Sequence, residues 1–250
     1  MLTAGVDLAA SPAASAVALV ADGTVVAVAV GAGDDAIVDL TSDASKIGID
    51  CPLGWPVAFT DFIGTVATGG PVPARESVAG RAELAYRATD RWIARHHPPL
   101  RPLSVSADRI AHVAFRCALL LSQLAASGEP VDRAGSGTVV EVYPAGSLCC
   151  WGLQHRSYKG NDSLAALSDC VDALLEVTSP WLKLGAFEEL CRKRDDAFDA
   201  LIAALTARAA MLGLTTRPQD SELERARREG WIALPTRPLA ELHERAVQHD

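Results

Sequence analysis

The fold follows from residues 4–30, which run A-G-V-D-L-A-A-S-P-A-A-S-A-V-A-L-V-A-D-G-T-V-V-A-V-A-V. This stretch contains three apolar runs of strand length: Ala4–Leu8, Ala14–Val20 and Thr24–Val30. The last two are joined by the dipeptide Asp22-Gly23, and apolar runs joined in this way predict a β-hairpin. We therefore expect the chain to begin with a strand that is followed by a hairpin.

Later segments extend this pattern to an α/β fold. A short helix is expected over Asp34–Leu40, and a strand is expected over Lys46–Cys51, where Pro52 ends it. The apolar core of that strand is nearly continuous, which is typical of a strand covered on both faces. A further strand is expected over Thr138–Tyr143, where β-branched residues precede a proline.

The segment from residue 55 to residue 130 has a helical pattern interrupted by Gly and Pro residues. Helices are expected there near Arg81–His96 and Asp108–Ala126. Beyond the last strand, helices are expected after Ser163 and over Ala186–Leu212. The prediction is a single domain, residues 1–250, in which a mixed sheet flanked by helices carries a helical insertion at 55–130.

Charge and hydropathy exclude several classes of protein. With 23 Lys and Arg against 31 Asp and Glu, the net charge of −8 argues against binding of nucleic acid by bulk positive charge. No run of 18 apolar residues is present, so no membrane span is predicted. Asp7 interrupts the apolar N-terminal segment, and no targeting signal is expected. The six cysteines form no C-x-x-C pair, which favours reduced thiols in a cytoplasmic protein.

Three carboxylates lie at or near the ends of predicted strands. Asp7 ends the first strand, Asp50 ends the strand before the insertion, and Glu141 lies in the strand after it. A carboxylate beside a core is unfavourable unless it is paired, hydrogen-bonded or bound to a cation, so three in similar settings predict a shared ligand. Oxygen ligands suit Mg²⁺ or Mn²⁺. Helix capping or ion pairs with arginines would also account for these acids.

The helix expected over residues 186–212 adds further carboxylates. Asp196 and Asp199 are three residues apart and share a face, and Asp199 borders the buried stripe. We choose Asp199 as the primary ligand and Asp196 as a second ligand or an outer partner. Asp195 follows Arg192–Arg194, which can satisfy its charge. Four carboxylates from strands and a helix can hold two ions about 4 Å apart for in-line cleavage of a phosphodiester.

Basic residues near the start of the insertion are candidates for phosphate binding. Glu83, Arg87, Arg91 and Arg95 are spaced by four, which predicts one stripe on a helix. Arginine forks match phosphate oxygens, so we expect Arg87 and Arg91 to border the acidic site, with Lys159 as a further point charge. An ordinary solvated helix face has the same spacing, and Glu83 and Arg87 would then form a surface pair.

Several of these segments, in their order along the chain, carry a family resemblance. They are Gly5-Val6-Asp7, Ile47–Gly54, Arg87–Arg91, Glu141–Ala145, Tyr158-Lys159-Gly160, Asp195–Ala200 and Glu229–Ile232. Together they cover nearly the whole chain and resemble the domain-of-unknown-function family 429, whose members are described as predicted RNase H-like nucleases of the RuvC kind.

This resemblance implies a fold, a site and an activity. The fold is an RNase H-like mixed sheet with a helical insertion, and the implied metal ligands and catalytic residues are Asp7, Asp50, Glu141 and Asp199. The implied activity is hydrolysis of phosphodiester bonds in nucleic acid, with Mg²⁺ or Mn²⁺ as cofactor and water as nucleophile.

Two other functions stay open from the sequence. An actin-like ATP-dependent phosphotransferase also begins with an aspartate on its first strand. Here Leu8-Ala9-Ala10-Ser11 follows Asp7 without the usual glycine, and no G-x-x-x-x-G-K-[ST] loop occurs. A non-catalytic RNase H-like binding module would keep the acidic residues but would fold without binding a divalent cation.

Overall fold

The computed structural model describes residues 1–72, 77, 79–179 and 181–244. In this part of the chain, five strands form one mixed sheet in the order β3-β2-β1-β4-β5. The strands are β1 (Leu2–Asp7), β2 (Ala16–Ala21), β3 (Thr24–Val30), β4 (Lys46–Asp50) and β5 (Val139–Glu141). Strands β1, β2 and β3 pair antiparallel, whereas β4 pairs parallel to both β1 and β5. The predicted α/β fold with a mixed sheet is confirmed.

Helices flank this sheet, and those between β4 and β5 form the expected helical segment. They are α1 (Asp34–Thr41), α2 (Val57–Ala67), α3 (Ala82–Ala85), α4 (Ala88–His96), α5 (Ala111–Ala126), α6 (Pro144–Cys150), α7 (Leu164–Thr178), α8 (Glu188–Lys193), α9 (Asp195–Met211), α10 (Leu223–Glu229) and α11 (Glu241–Glu244). None of these helices is both long and apolar enough to cross a membrane.

Two long predicted helices are each divided in the structure. The helix expected over Arg81–His96 is broken between α3 and α4, where Tyr86 is extended (φ −124°, ψ 133°). The break follows from a local cap, because the backbone N–H of Arg87 donates to Asp90 at 2.9 Å. The helix expected over Ala186–Leu212 is broken at Arg194, which is also extended (φ −132°, ψ 111°).

Four helices were not predicted individually: α2, α6, α10 and α11. Helix α2 follows Pro56 in the segment expected to be helical, and α6 begins at Pro144. Proline is favoured at the first helical position because its missing N–H would be unpaired there anyway. Pro144, which was expected to end the last strand, therefore starts a helix, and β5 itself ends three residues earlier at Glu141.

The two faces of the sheet carry separate cores. On one face Val6 and Ile49 pack with Ile37 of α1 and with Leu120 of α5. On the other face Ala18 packs with residues of α7 and α9, where the core is larger. The alternation of a strand decides which side chain faces which core, so Gly5 and Asp7 share the α9 face while Val6 points away from it.

Helix α9 lies unusually close to the centre of the sheet. Gly5 of β1 and Gly48 of β4 are register partners. A Cβ added to Gly5 would overlap backbone atoms of Ala200 and Ala204, and one added to Gly48 would lie 2.6 Å from the carbonyl oxygen of Ala203. The two glycines therefore form a flat platform on which α9 rests backbone to backbone.

Replacing Gly48 by Ala should push α9 away from the sheet. We expect the free energy of unfolding to fall by about 3 kcal/mol, the upper part of the usual range for overpacking. Urea unfolding of the purified variant measures this loss. Gly64→Ala is the matched control, because a Cβ there meets nothing within 4 Å and Ala favours a helix. Unchanged stability in Gly48→Ala would contradict the platform.

Candidate metal centre

Three carboxylates meet where the parallel strands end against α9. Asp7 and Asp50 are the last residues of β1 and β4 and are register partners. Asp199 lies in the second turn of α9, directly above them. One oxygen from each of the three carboxylates lies within 4.8 Å of the other two. The structure thus brings together Asp7, Asp50 and Asp199, as the sequence predicted.

These carboxylates repel one another in partial burial. The pKa of Asp50 is raised to about 7, and burial is the main cause. The negative charges of Asp199 and Glu141 contribute to this rise, and the positive charge of Lys159 opposes it. Burial also raises the pKa of Asp7 well above its ordinary value, with Asp199 and Asp50 adding to the rise. Within the described residues, no hydrogen-bond donor reaches the carboxylate of Asp7 or Asp50. A cation would relieve this repulsion.

Asp199 is held in place by the pair Tyr158 and Lys159. The hydroxyl of the buried Tyr158 donates to Oδ1 of Asp199 at 2.8 Å, and the ammonium of Lys159 forms an ion pair with Oδ2. Burial lowers the pKa of Lys159, but Asp199 and Asp50 outweigh this effect and the pKa is raised. Lys159 is 54% exposed and so remains open to a ligand. The sequence predicted a role at this site for Lys159 but not for Tyr158, the residue before it in the same motif.

Asp196 lies beside this group but is engaged elsewhere. Its carboxylate accepts from Nε of Arg194 at 3.0 Å and forms an ion pair with the same guanidinium. Asp195 instead accepts the backbone N–H of Gly160 at 2.8 Å, so the expectation that Arg192–Arg194 satisfy Asp195 is wrong. Asp196 still lines the open cavity of about 400 Å³, hereafter the acidic cavity, that Asp7, Lys159 and Asp199 also line.

Glu141 does not join the three carboxylates. Register pairs it with Ile49 rather than Asp50, so its side chain points to the opposite face of the sheet from Asp7 and Asp50. Both of its oxygens accept from Arg87 at 2.7 Å, and Oε2 also accepts the backbone N–H of Leu53 at 3.0 Å. The structure corrects the prediction that Glu141 is a metal ligand: it is the anchor of a buried arginine.

Arg87 is buried rather than directed at substrate phosphates. It is 1% exposed and binds Asp90 through Nε at 3.1 Å and Nη2 at 2.9 Å, besides Glu141. The carbonyl of Glu229 also accepts from its Nη1 at 3.1 Å. The break before α4 produces this outcome, because it turns Arg87 inward as the residue that precedes the helix. The prediction of Arg87 as a phosphate-binding residue is therefore corrected.

Arg91 also lies away from the three carboxylates. It forms an ion pair with Glu83 at 3.2 Å, so the pair expected between Glu83 and Arg87 is replaced by one between Glu83 and Arg91. Arg91 lines a separate cavity with Asp61 and Glu229. The single stripe expected from the spacing of four does not form, since α3 and α4 are different helices.

A second buried carboxylate completes the network around Arg87. Oε1 of Glu229 accepts the backbone N–H of Val57 at 2.8 Å, and Oε2 accepts that of Ala88 at 2.7 Å. These are the first residues of α2 and α4, so Glu229 caps two helices at once. Through Glu141 and Glu229 the insertion is thereby fixed to the ends of β5 and α10.

Removing the charge of Glu141 should unfold this network. We expect Glu141→Gln to lower the free energy of unfolding by about 3–5 kcal/mol, because it leaves a buried guanidinium short of one carboxylate. Denaturant unfolding provides the measurement. Glu189→Gln breaks the exposed ion pair with Lys193 and should leave stability unchanged within error. Equal stability of Glu141→Gln and the wild type would show that Glu141 is no anchor.

Comparison with known families matches most of this chain. The model of the family described as "Protein of unknown function (DUF429)" matches residues 5–223. The match includes Asp7, Asp50, Lys159 and Asp199, whereas the segment Glu229–Ile232, expected to fit the end of the family, lies outside it. No curated protein and no solved structure matches the chain.

Proposed function

Since the chain belongs to the DUF429 family of proteins of unknown function, we propose its activity from the geometry of its acidic site: a nuclease that requires Mg²⁺ or Mn²⁺. The observation that carries this proposal is the convergence of Asp7, Asp50 and Asp199 within 4.8 Å at the ends of parallel strands. Crevices at the carboxyl ends of strands are the usual ligand sites of open α/β sheets.

The donor set fits a hard divalent cation. All three groups are carboxylates, and oxygen ligands suit Mg²⁺ and Mn²⁺ better than softer metals. The unpartnered carboxylates of Asp7 and Asp50 and the raised pKa of each are the marks of a site that lacks positive charge. Three carboxylates supply ligands for one cation, and the second ion of a two-metal mechanism would depend on Asp196 and on substrate oxygens.

The residues of the chain have separable roles in this proposal. Asp7, Asp50 and Asp199 would hold the cation, and Tyr158 orients Asp199 through its hydroxyl. A bound cation supplies charge that polarises the phosphodiester. Lys159 offers an ammonium to a phosphate oxygen at the rim of the acidic cavity. In the reaction a water oxygen bonds to phosphorus, the bond to the leaving oxygen breaks, and that oxygen gains a proton.

Fold and location complete the proposal. The hairpin β1 to β3, the parallel strands β4 and β5, and aspartates at two strand ends support an RNase H-like arrangement. All six cysteines are free thiols, which supports a cytoplasmic location. Nucleic acid is the proposed substrate.

Cation binding tests the site directly. Asp50→Asn should raise the free energy of unfolding of the metal-free protein by about 1–2 kcal/mol, because it removes a repelling charge. Mn²⁺ at a hundred times its dissociation constant should stabilise the wild type by about 2.7 kcal/mol and the variant not at all. Denaturant unfolding with and without Mn²⁺ measures both effects. The exposed control Asp43→Asn should behave as the wild type in both conditions.

Failure of Mn²⁺ to bind the folded wild type in calorimetry would reject the proposed function and favour the non-catalytic binding module. The same titration assigns the helix ligand. Asp199→Asn should abolish binding, whereas Asp196→Asn should weaken it less, because its partner Arg194 already neutralises Asp196. The reverse order would move the ligand to Asp196.

Hydrolysis of bis(p-nitrophenyl) phosphate in Mn²⁺ tests the activity. We expect Asp199→Asn to lower kcat at least about a hundredfold, because the charge that opposes the developing negative charge is lost with the metal. Lys159→Gln should lower kcat/KM about tenfold or more, the value of a hydrogen bond to a charged group. Lys193→Gln, an exposed control whose side chain pairs with Glu189 and does not line the acidic cavity, should keep wild-type rates. Full activity in Asp199→Asn would contradict the assignment.

A further inference from the structure

A second cavity adjoins the acidic group on the insertion side. It has a volume of about 310 Å³ and is hereafter the apolar cavity. Its wall is formed mainly by apolar side chains from the segments that follow β1, β4 and α10, from the segment before α5 and from the first turn of α5. They are Leu8, Pro52, Leu103, Ile110, Val113 and Ile232. A mostly apolar cleft or cavity of at least about 300 Å³ is typical of a small-molecule site.

The apolar cavity meets the acidic site at one end. Asp50, one of the three clustered carboxylates, lines it, and Lys159 lines both cavities. The ring of Tyr143 lines it as well, and within the described residues no partner binds the Tyr143 hydroxyl. Burial and the nearby Asp50 raise the pKa of this hydroxyl, which keeps it protonated as a donor. Polar groups are thus available at the end nearest the metal centre.

The remaining polar side chains of this cavity are already satisfied. Arg87, Asp90 and Glu141 also line the cavity, but Arg87 already donates to both carboxylates at 2.7 to 3.1 Å. A ligand therefore meets an apolar wall with a polar end. A group attached to a phosphate at the metal centre would have to present a largely apolar surface to fill this space. An apolar cavity of about 150 Å³ holds benzene, so twice that volume suits a larger ring system.

Charge around the two cavities argues against a long duplex as the ligand. Among the described residues that line them, the cations are Arg87, Lys159 and Arg194. Arg87 is buried and Arg194 pairs with Asp196, whereas Lys159 pairs with Asp199 but is 54% exposed, so it is the lining cation most open to a phosphate. Proteins that follow a duplex neutralise about 6–10 phosphates. A substrate held chiefly by one end fits this distribution of charge better.

We propose that the apolar cavity binds the nucleobase of a nucleotide whose phosphate lies at the acidic site. The base must be unpaired and unstacked to enter, since a base that is paired and stacked inside a duplex is not available to fill a separate cavity. This inference rests on the proposed function, which it narrows to mononucleotide-sized esters and single strands. Leu103 lines the cavity and is 49% exposed, so it lies where the cavity opens to solvent.

Calorimetry with two phosphate monoesters tests the cavity. Adenosine 5′-monophosphate and ribose 5-phosphate share the sugar and the phosphate, and only the first has a base. In the presence of Mn²⁺ we expect the first to bind at least about tenfold more tightly, the lower part of the range for base contacts with aromatic groups. Equal affinity of the two ligands would overturn the proposal.

Two variants locate the effect within the molecule. Leu103→Asp places a negative charge at the mouth, and Val113→Trp fills the cavity from α5. Each should abolish the preference for the nucleotide and leave Mn²⁺ affinity unchanged within about twofold. Leu119→Asp is the control, because Leu119 is on α5, 66% exposed and outside the cavity. If both folded cavity variants retain the preference, the base binds elsewhere and the proposal fails.

Cleavage of single-stranded and duplex oligonucleotides tests which form of nucleic acid supplies the nucleotide. Its outcomes also distinguish the cavity proposal from the nuclease proposal. Single-stranded oligonucleotide should be cleaved at least about tenfold faster than the same sequence in a duplex, and adenosine 5′-monophosphate should inhibit competitively. Faster cleavage of the duplex would reject the cavity proposal while supporting the nuclease. Preferential nucleotide binding without Mn²⁺ binding would support the cavity and reject the metal centre.

Discussion

Helix α9 lies against the bare backbone of Gly5 and Gly48, and the candidate site depends on this contact. Each glycine stands two residues before an aspartate, so the strand period places Asp7 and Asp50 on the face that α9 covers. With a side chain at either glycine the helix would lie further out, and Asp199 would be drawn away from the strand carboxylates. The G-x-D pattern of β1 and β4 thus couples close packing to the position of the acidic residues.

Two buried arginines fix the insertion around this edge of the sheet. Arg87 joins α4 to Glu141 at the end of β5. Arg116 of α5 binds Asp34 at 2.7 Å, and its guanidinium also donates to the carbonyls of Ala9 and Ala32 at 2.7 and 3.0 Å. The loops after β1 and β5 are therefore held from the same helical segment. Arg87, for which the sequence suggested phosphate binding, instead stabilises a wall of the site.

The acidic group itself works against folding. Burial raises the pKa of all three carboxylates, and the charge of Lys159 opposes this rise at each of them without cancelling it. Unfavourable charge of this kind is typical of functional sites, because proteins tolerate local strain there and compensate for it elsewhere. Here the compensation comes from α9, which is buried along nearly its full length.

The sequence by itself determined the strands, the order of the motifs and the acids at the strand ends. Alternation and turn residues act locally and predicted Asp7 and Asp50 at strand ends, whereas helical spacing predicted Asp199 as a ligand. Only the tertiary structure decided that Glu141 points to the other face, because this depends on a shift of one residue between β4 and β5. The burial of Arg87 depends on its contact with Glu141, which lies 54 residues away. Helical spacing does not encode a contact over that distance in sequence.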